Sequence, residues 1–552
     1  MARPTTAWRP GSTDWYILGS TVILAATLAL DAAVRWPASY DEVWHLFTAG
    51  LRPWRQLFAE LAHEAHPPLA FLMVRPLVSW SSALWLARLS SVIPSVATVV
   101  VLFLLARRLR LTRPACHLTA LLFAVSHHVV SLAASVRAYS LVTFLMLISL
   151  HQLLAVVLQP DQVEKKGIAL LFAALAIAFW TSYAAIIFIA AYALAPLCLG
   201  AAGALPARRW LVLAHGTARR ILCGAFVIAI GAGVCMRFTQ EAEPLRHVQS
   251  FLPRGDERWW QFVLRGVASD LSYFTPLAFA ASAWFALALA AILLGYLWLL
   301  RRYLRPGSSC FGAARGLVLI VLFLIGACLV ALALARQYPF GGKMRHQFVL
   351  YPFLLLAAMF VVDEILVAMR GPRLRIALCL AIEVGIAASA AVQAHAPSAD
   401  DHPEQPLWQR EVDQLQRRIG VNGAVYLTQF SLFGFFANTM DWSWTHVRDL
   451  GEQHQLFVAR RGHNTRTVIR DRQWYVPDPV SDEFLLGLAR LMGEVGLNEV
   501  WLFAAGHDPD RAPTGEPDVE LAARCQRSGL RLADAIDWAG ARALRLQTSA
   551  RH

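Results

Sequence analysis

Apolar positions fall into long unbroken runs before residue 394 and into short strand-like or helical patterns after it. Several runs reach the ~20 residues needed to cross the hydrocarbon of a bilayer. The pattern predicts membrane helices at roughly 15–33, 83–106, 115–133, 138–158, 221–236, 276–300, 316–334, 348–368 and 376–393. The stretch 168–200 is too long for one crossing and short for two, and a tight hairpin turning near Thr181-Ser182-Tyr183 fits it. Beyond residue 394, Gly423-Ala424-Val425-Tyr426-Leu427 and Glu499-Val500-Trp501-Leu502-Phe503 read as strands, and 482–497 and 517–528 as helices. The expected fold is an all-α polytopic membrane bundle of about eleven transmembrane helices over 1–393, followed by a small α/β domain over 394–552.

Composition agrees. Hydrophobic residues make up 57% of the chain, above the roughly 45–50% of soluble domains. The net charge of +13 raises the question of nucleic acid, but its placement answers otherwise. Arg107, Arg108, Arg110 and Arg113 lie between two apolar runs, as do Lys165 and Lys166, then Arg208, Arg209, Arg219 and Arg220. Arg301, Arg302, Arg305 and Arg315 follow, then Arg370, Arg373 and Arg375. Short basic loops face the cytoplasm, so the charge reports topology and no nucleic-acid partner is expected. An even number of crossings between Lys165/Lys166 and Arg208/Arg209 supports the hairpin. The N-terminus is then inside, as an uncleaved first helix, and the C-terminal domain outside. External loops fall at 34–82, 134–138, 237–275 and 335–347. The eight cysteines show no C-x-x-C spacing and imply no zinc site.

Chemistry concentrates on the outer side. Tyr40-Asp41-Glu42-Val43-Trp44-His45 follows the first helix. Carboxylates close to a membrane are solvated, paired or metal-bound; a hydrated loop end, a catalytic base and a metal ligand are the three readings of this pair. Residues 51–66 carry Trp54, Leu57, Phe58 and Leu61 on one helical face, the pattern of a helix lying in the interface plane. His66-Pro67-Pro68-Leu69 ends that stripe; His66 binds a metal or phosphate, or only caps the helix end. The loop 237–275 carries Arg246, His247, Arg254, Asp256, Glu257, Arg258, Trp259 and Trp260. Its tryptophans suit a lipid interface better than a sugar platform.

The Asp-Glu pair, the interfacial stripe and the His-Pro-Pro-Leu turn resemble the GT-C superfamily of membrane glycosyltransferases. The nearer likeness is to the bacterial branch around the protein O-mannosyltransferases and the lipid A aminoarabinose transferases. Ser135-Val136-Arg137-Ala138-Tyr139-Ser140 resembles that family's Arg-x-Tyr stretch. Tyr338-Pro339-Phe340-Gly341-Gly342-Lys343-Met344-Arg345-His346 resembles its late external Arg-His motif, ahead of a helix containing Pro352. The resemblance covers roughly 15–393 and leaves the C-terminal domain unassigned. It implies a polyprenyl-phosphate sugar donor, embedded in membrane lipid, an acceptor that is a glycan, lipid or protein, and a bacterial inner-membrane location.

Under that resemblance, Asp41 is the expected general base and Glu42 its supporting carboxylate. Arg137, Tyr139, Lys343, Arg345 and His346 are the expected donor-phosphate residues, because preorganised cations stabilise an anionic leaving group and a guanidinium fork suits phosphate oxygens. Gly341-Gly342 would let the backbone approach a ligand. On position alone, Arg137 also reads as snorkelling to the interface, Lys343 and Arg345 as flanking a span, and Tyr139 as an interface aromatic. Some relatives bind a divalent ion; Asp41, Glu42 and His66 are the candidate ligands for Mg²⁺ or Mn²⁺. The competing reading is a transporter or lipid flippase without covalent chemistry. It would place ionisable groups near the midplane of the spans, where this sequence has few.

Overall fold

The structure, a computed structural model, describes residues 10–36, 38–51, 54–62, 64, 66–81, 83–158, 165–203, 217–239, 257–274, 294–305, 310–335, 337–338, 340–341, 347–369, 371, 405–420, 422–427, 432, 435–436, 442–450, 454–471, 481–505, 518–538 and 541–549. The chain divides into two compact units, one of 1–36, 61–74 and 84–397, the other of 37–60, 75–83 and 398–552.

The first unit is helical. Its elements include α1 (Ser12–Arg35), and α2 (Tyr40–Gly50) and α3 (Trp54–Leu61) follow in the chain but belong to the second unit. Then come α4 (Pro68–Trp80), divided between the units at Arg75, and α5 (Leu84–Arg108), α6 (Arg113–Val125), α7 (His127–Ala133) and α8 (Tyr139–Leu158). They are followed by α9 (Lys165–Thr181), α10 (Ala185–Ala201), α11 (Thr217–Thr239), α12 (Trp259–Phe274), α13 (294–303), α14 (Cys310–Leu334) and α15 (Tyr351–Ala368). Among the described residues five helices are long and apolar enough to cross a membrane, or six if α6 and α7, bent by 55°, count as one. The chain is a multi-pass membrane protein. The expected span at 376–393 and most of that at 276–300 lie outside the described residues. α9 and α10 form the expected hairpin, closed by Ser182 N donating to Ala178 O at 2.8 Å and Ala185 N to Ser182 O at 3.0 Å.

Buried arginines join these helices. Arg88 in α5 donates to Ala33 O (2.9 Å) and Trp36 O (2.7 Å), satisfying carbonyls that the end of α1 leaves open. Arg315 belongs to α14, one turn inside it, and not to the preceding loop where the charge pattern put it. It donates to Leu109 O (3.0 Å), Arg110 O (2.8 Å) and Asp363 Oδ2 (2.9 Å). Asp363 Oδ1 in turn accepts from Thr112 N at 2.7 Å. The α5–α6 turn, α14 and α15 are thus tied at one point.

The second unit is built on a seven-stranded sheet ordered β2-β3-β4-β1-β5-β7-β6. The strands are β1 (Ala424–Leu427), β2 (Ser443–Leu450), β3 (His454–Arg461), β4 (Asn464–Asp471), β5 (Glu499–Ala505), β6 (Leu530–Trp538) and β7 (Ala541–Thr548). β1 runs parallel to β4 and β5, and the outer pairs are antiparallel. The central strand is buried along its whole length, as strands covered on both faces must be. Helix 482–495 is capped by Ser481, whose hydroxyl accepts from Phe484 N. It ends on Gly496 at φ +76°, the left-handed stop that glycine supplies. The helices and strands read from the sequence appear here at 482–495, 518–527, 424–427 and 499–505.

The region 34–82 differs from its reading as one loop with an interfacial stripe at 51–66. It holds three helices, α2, α3 and α4. Leu57 and Leu61 are buried while Trp54 and Phe58 remain exposed, so the stripe is split between packing and surface.

Candidate active site

Asp41 and Glu42 sit in the first turn of α2. The helix starts there because Ser39 and Glu42 form a reciprocal capping box. Glu42 N donates to Ser39 Oγ (3.3 Å), and Ser39 N donates to Glu42 Oε2 (3.1 Å). Glu42 is fully buried and holds the helix start, whereas Asp41 is half-buried. The N-terminal turn of a helix is a favourable place for negative charge.

The rest of α2 and α3 is anchored in the sheet of the same unit. The Phe47 ring lies 5.2 Å from Phe436, 5.8 Å from Trp444 and 5.5 Å from Phe457, all edge-on. Arg470 lies 4.9 Å from the Trp44 ring centre and donates to Glu60 Oε1 at 3.0 Å and Gln455 Oε1 at 2.7 Å. Gln455 Nε2 donates to the same Glu60 oxygen at 2.9 Å.

In the membrane unit, a basic pole gathers near the start of α8. Arg137 lies in the turn ahead of α8, fixed by Ser91 Oγ donating to Arg137 O at 2.9 Å and by Arg137 N donating to Ser135 O at 2.8 Å. Its guanidinium is 5.9 Å from the Tyr139 ring centre. Desolvation, and then the charges of Arg137 and Arg237, push the His66 imidazole down to about 3. His66 is therefore neutral at physiological pH, with two guanidiniums acting on it. Arg237, in the last turn of α11, also acts on the Tyr183 phenol, which burial raises. Tyr183 Oη is buried with no hydrogen-bond partner among the described residues. A cavity beside this pole is lined by Tyr139, Val142, Ser182, Phe188, Tyr338 and Gln347. It joins the start of α8, the hairpin turn and the loop after α14.

Sequence reasoning passed over Arg237. The signal was there: an arginine at the outer end of a predicted span runs against the cytoplasmic bias of basic residues. Lys343, Arg345 and His346 lie outside the described residues. Gly341 is described, and its need for glycine has a different cause from ligand approach. Its φ is +67°, and a Cβ there would collide with the backbone of Gly266 in α12. The glycine lets two backbones meet.

Of the candidate metal ligands, Asp41 and Glu42 belong to one compact unit and His66 to the other. Glu42 Oε2 is engaged by Ser39 N–H, and the two guanidiniums acting on His66 disfavour a cation there. Among the described residues no group of three or more His, Cys, Asp or Glu side chains gathers to hold a metal.

No protein-family profile and no curated protein sequence matches the chain. Solved structures do. ArnT from Cupriavidus metallidurans in its apo state superposes with a TM-score of 0.54 over 98% of this chain and 99% of that one, at 12% identity. The chain has the GT-C fold. ArnT bound to undecaprenyl phosphate gives a TM-score of 0.49 with the same coverage and identity. The oligosaccharyltransferase AglB from Archaeoglobus fulgidus, in complex with an inhibitory peptide and a dolichol-phosphate, gives 0.47 at 12% identity over 89% of this chain and 70% of that one. The GT-C likeness spans both the membrane helices and the C-terminal domain.

Proposed function

We propose that the protein is an integral membrane glycosyltransferase that moves a sugar from a polyprenyl-phosphate donor to an acceptor at the outer membrane face. The observation that carries this reading is the fold, which superposes on ArnT along 98% of the chain, with Arg137 ahead of α8 beside the Tyr139 ring in support. Guanidiniums whose charge reaches the same imidazole suit an anion. On this fold, the anion with a lipid tail is the donor phosphate, the ligand that ArnT holds as undecaprenyl phosphate.

Asp41 takes the proton of the acceptor hydroxyl or amine as the acceptor atom attacks the anomeric carbon. The bond from that carbon to the phosphate oxygen breaks, and its electron pair stays on the phosphate. The leaving group is already anionic and needs charge stabilisation more than a proton. Arg137 and Arg237 supply it, with Tyr139 beside them and Lys343, Arg345 and His346 from the loop before α15. One displacement inverts the anomeric centre. Glu42 keeps Asp41 in place by fixing the start of α2. The step as written uses no metal.

The test is transfer by the purified full-length protein from a panel of radiolabelled polyprenyl-phosphate sugars. Transfer from at least one donor, lost in Arg137→Ala, is expected. No transfer from any donor, with lipid-linked sugar instead moved across vesicles, would replace the enzyme by a carrier.

A further inference from the structure

The described residues on which the catalytic assignment rests occupy a few turns, yet α2, which bears Asp41, has no independent means of stability. It is 11 residues long and α3 is 8, both shorter than the roughly 12–15 residues an isolated helix needs to be even marginal in water. What fixes them is the C-terminal sheet, with which they share one compact unit.

The centre of that attachment is a buried triangle. Glu60 (5% exposed), Gln455 (4%) and Arg470 (3%) are mutually hydrogen-bonded at 2.7–3.0 Å. Glu60 and Arg470 stand 410 positions apart in the chain. A buried charge pair has a large desolvation cost and is a weak source of stability; its best-attested use is to fix one register among several apolar packings. Arg470 does so here from two directions. Its ion pair pins α3, and its guanidinium faces the rings of Trp44 (4.9 Å) and Phe47 (5.5 Å) on α2. Gln56 Nε2 adds a second tie from α3, to His446 O in β2 at 3.2 Å. Trp44 and Phe47 are three and six positions after Asp41, so a shift of either ring moves the carboxylate on the same short helix.

We infer that Arg470 and Glu60 are positioning residues for Asp41, and that the C-terminal domain is the scaffold that sets the geometry of the catalytic base. This rests on the proposed transferase function for its kinetic consequence, though not for its structural one. Arg470 is 3% exposed and engaged by Glu60 and Gln455, and we assign it no contact with donor or acceptor. Its effect runs through α2, where a displacement of about 1 Å is enough to cost on the order of 10²-fold in rate.

The experiment uses full-length protein in nanodiscs, as wild type, Arg470→Met and Glu60→Gln. It pairs donor kinetics with amide hydrogen exchange. Both variants are expected to lose exchange protection across 40–60 while β1 and β5 stay protected. They are expected to lose about 10- to 100-fold in kcat with the donor KM within about twofold, and Arg470→Lys, which keeps the charge, recovers part of the loss. Unchanged protection of 40–60 in both variants overturns the inference, as does collapse of β1 and β5 protection together with 40–60, which would make the triangle a general fold element. Wild-type protein that transfers from no donor would sink the transferase function while the exchange arm still decides the coupling.

Discussion

Arg315 and Asp363 form an ion pair at 2.9 Å with neither side chain more than 1% exposed. Leu109 O, Arg110 O, Thr112 N and Tyr303 Oη also bond to the pair, and Glu364 Oε1 lies 3.6 Å from the same guanidinium. Removing one member strands the other in a low-dielectric site, which costs roughly 3–5 kcal/mol. Arg315→Met is therefore expected to lower the melting temperature sharply. The double variant Arg315→Met/Asp363→Leu should lose less than the single. Thermal unfolding in detergent checks this, and a double variant worse than the single would contradict it.

His66 makes stability depend on pH. Its folded-state value of about 3 lies below the ordinary 6.5, so the unfolded chain binds a proton in the window between them and the fold does not. Stability rises with pH wherever the unfolded state binds more protons. The contribution is full above pH 6.5 and drains away as pH falls toward 3. His66→Gln should flatten the fall in melting temperature between pH 7 and 4.5. A variant that loses stability with acid as steeply as wild type would show that His66 is not the group responsible.

Parts of this arrangement were legible in the sequence. The 168–200 hairpin could be read because basic loops on both sides demand an even number of crossings. β1 and β5 could be read because central strands buried on both faces are continuous apolar runs. β2, β3 and β4 were missed because their exposed positions carry Arg448, Arg460, Arg461 and Asn464, which break such runs. Ser39-x-x-Glu42 is a legible capping box, yet Asp41 and Glu42 were read as part of a loop because the apolar spacing after them is short. The Glu60–Arg470 pair was beyond reach: no local pattern links residues 410 apart. Arg237 was within reach and was overlooked among the charges of the loop that follows it.

Arg237 carries a prediction of its own. Arg237→Ala should lower kcat/KM for the donor on the order of 10²-fold, the usual effect of losing one preorganised charge donor. Arg237→Lys, which keeps the charge and loses the fork, should fall between the two. Steady-state kinetics with a polyprenyl-phosphate sugar reads both. An alanine variant within twofold of wild type would remove Arg237 from the phosphate site.

Chelation should do little. The proposed displacement uses no ion, so dialysis against EDTA is expected to leave transfer within about twofold, with Mg²⁺ or Mn²⁺ giving no stimulation. An activity abolished by EDTA and restored by either ion would place a metal in the mechanism after all.

The helix start that presents Asp41 is testable apart from Asp41 itself. Ser39→Ala removes the cap and should cost about 1 kcal/mol locally, with Ser39→Asp restoring it. Because α2 bears the base, the alanine variant should lower kcat while leaving the donor KM unchanged. An equal rise in KM would mean the helix start contacts the donor instead.

The most direct measurement is a single turnover of purified wild type and Asp41→Asn with radiolabelled polyprenyl-phosphate sugar and its acceptor, following glycosylated product. A general base contributes roughly 10²–10⁴-fold, so Asp41→Asn is expected to bind the donor as wild type does and to form product slower by that factor. Product formation at the wild-type rate would contradict the assignment of Asp41 as the base.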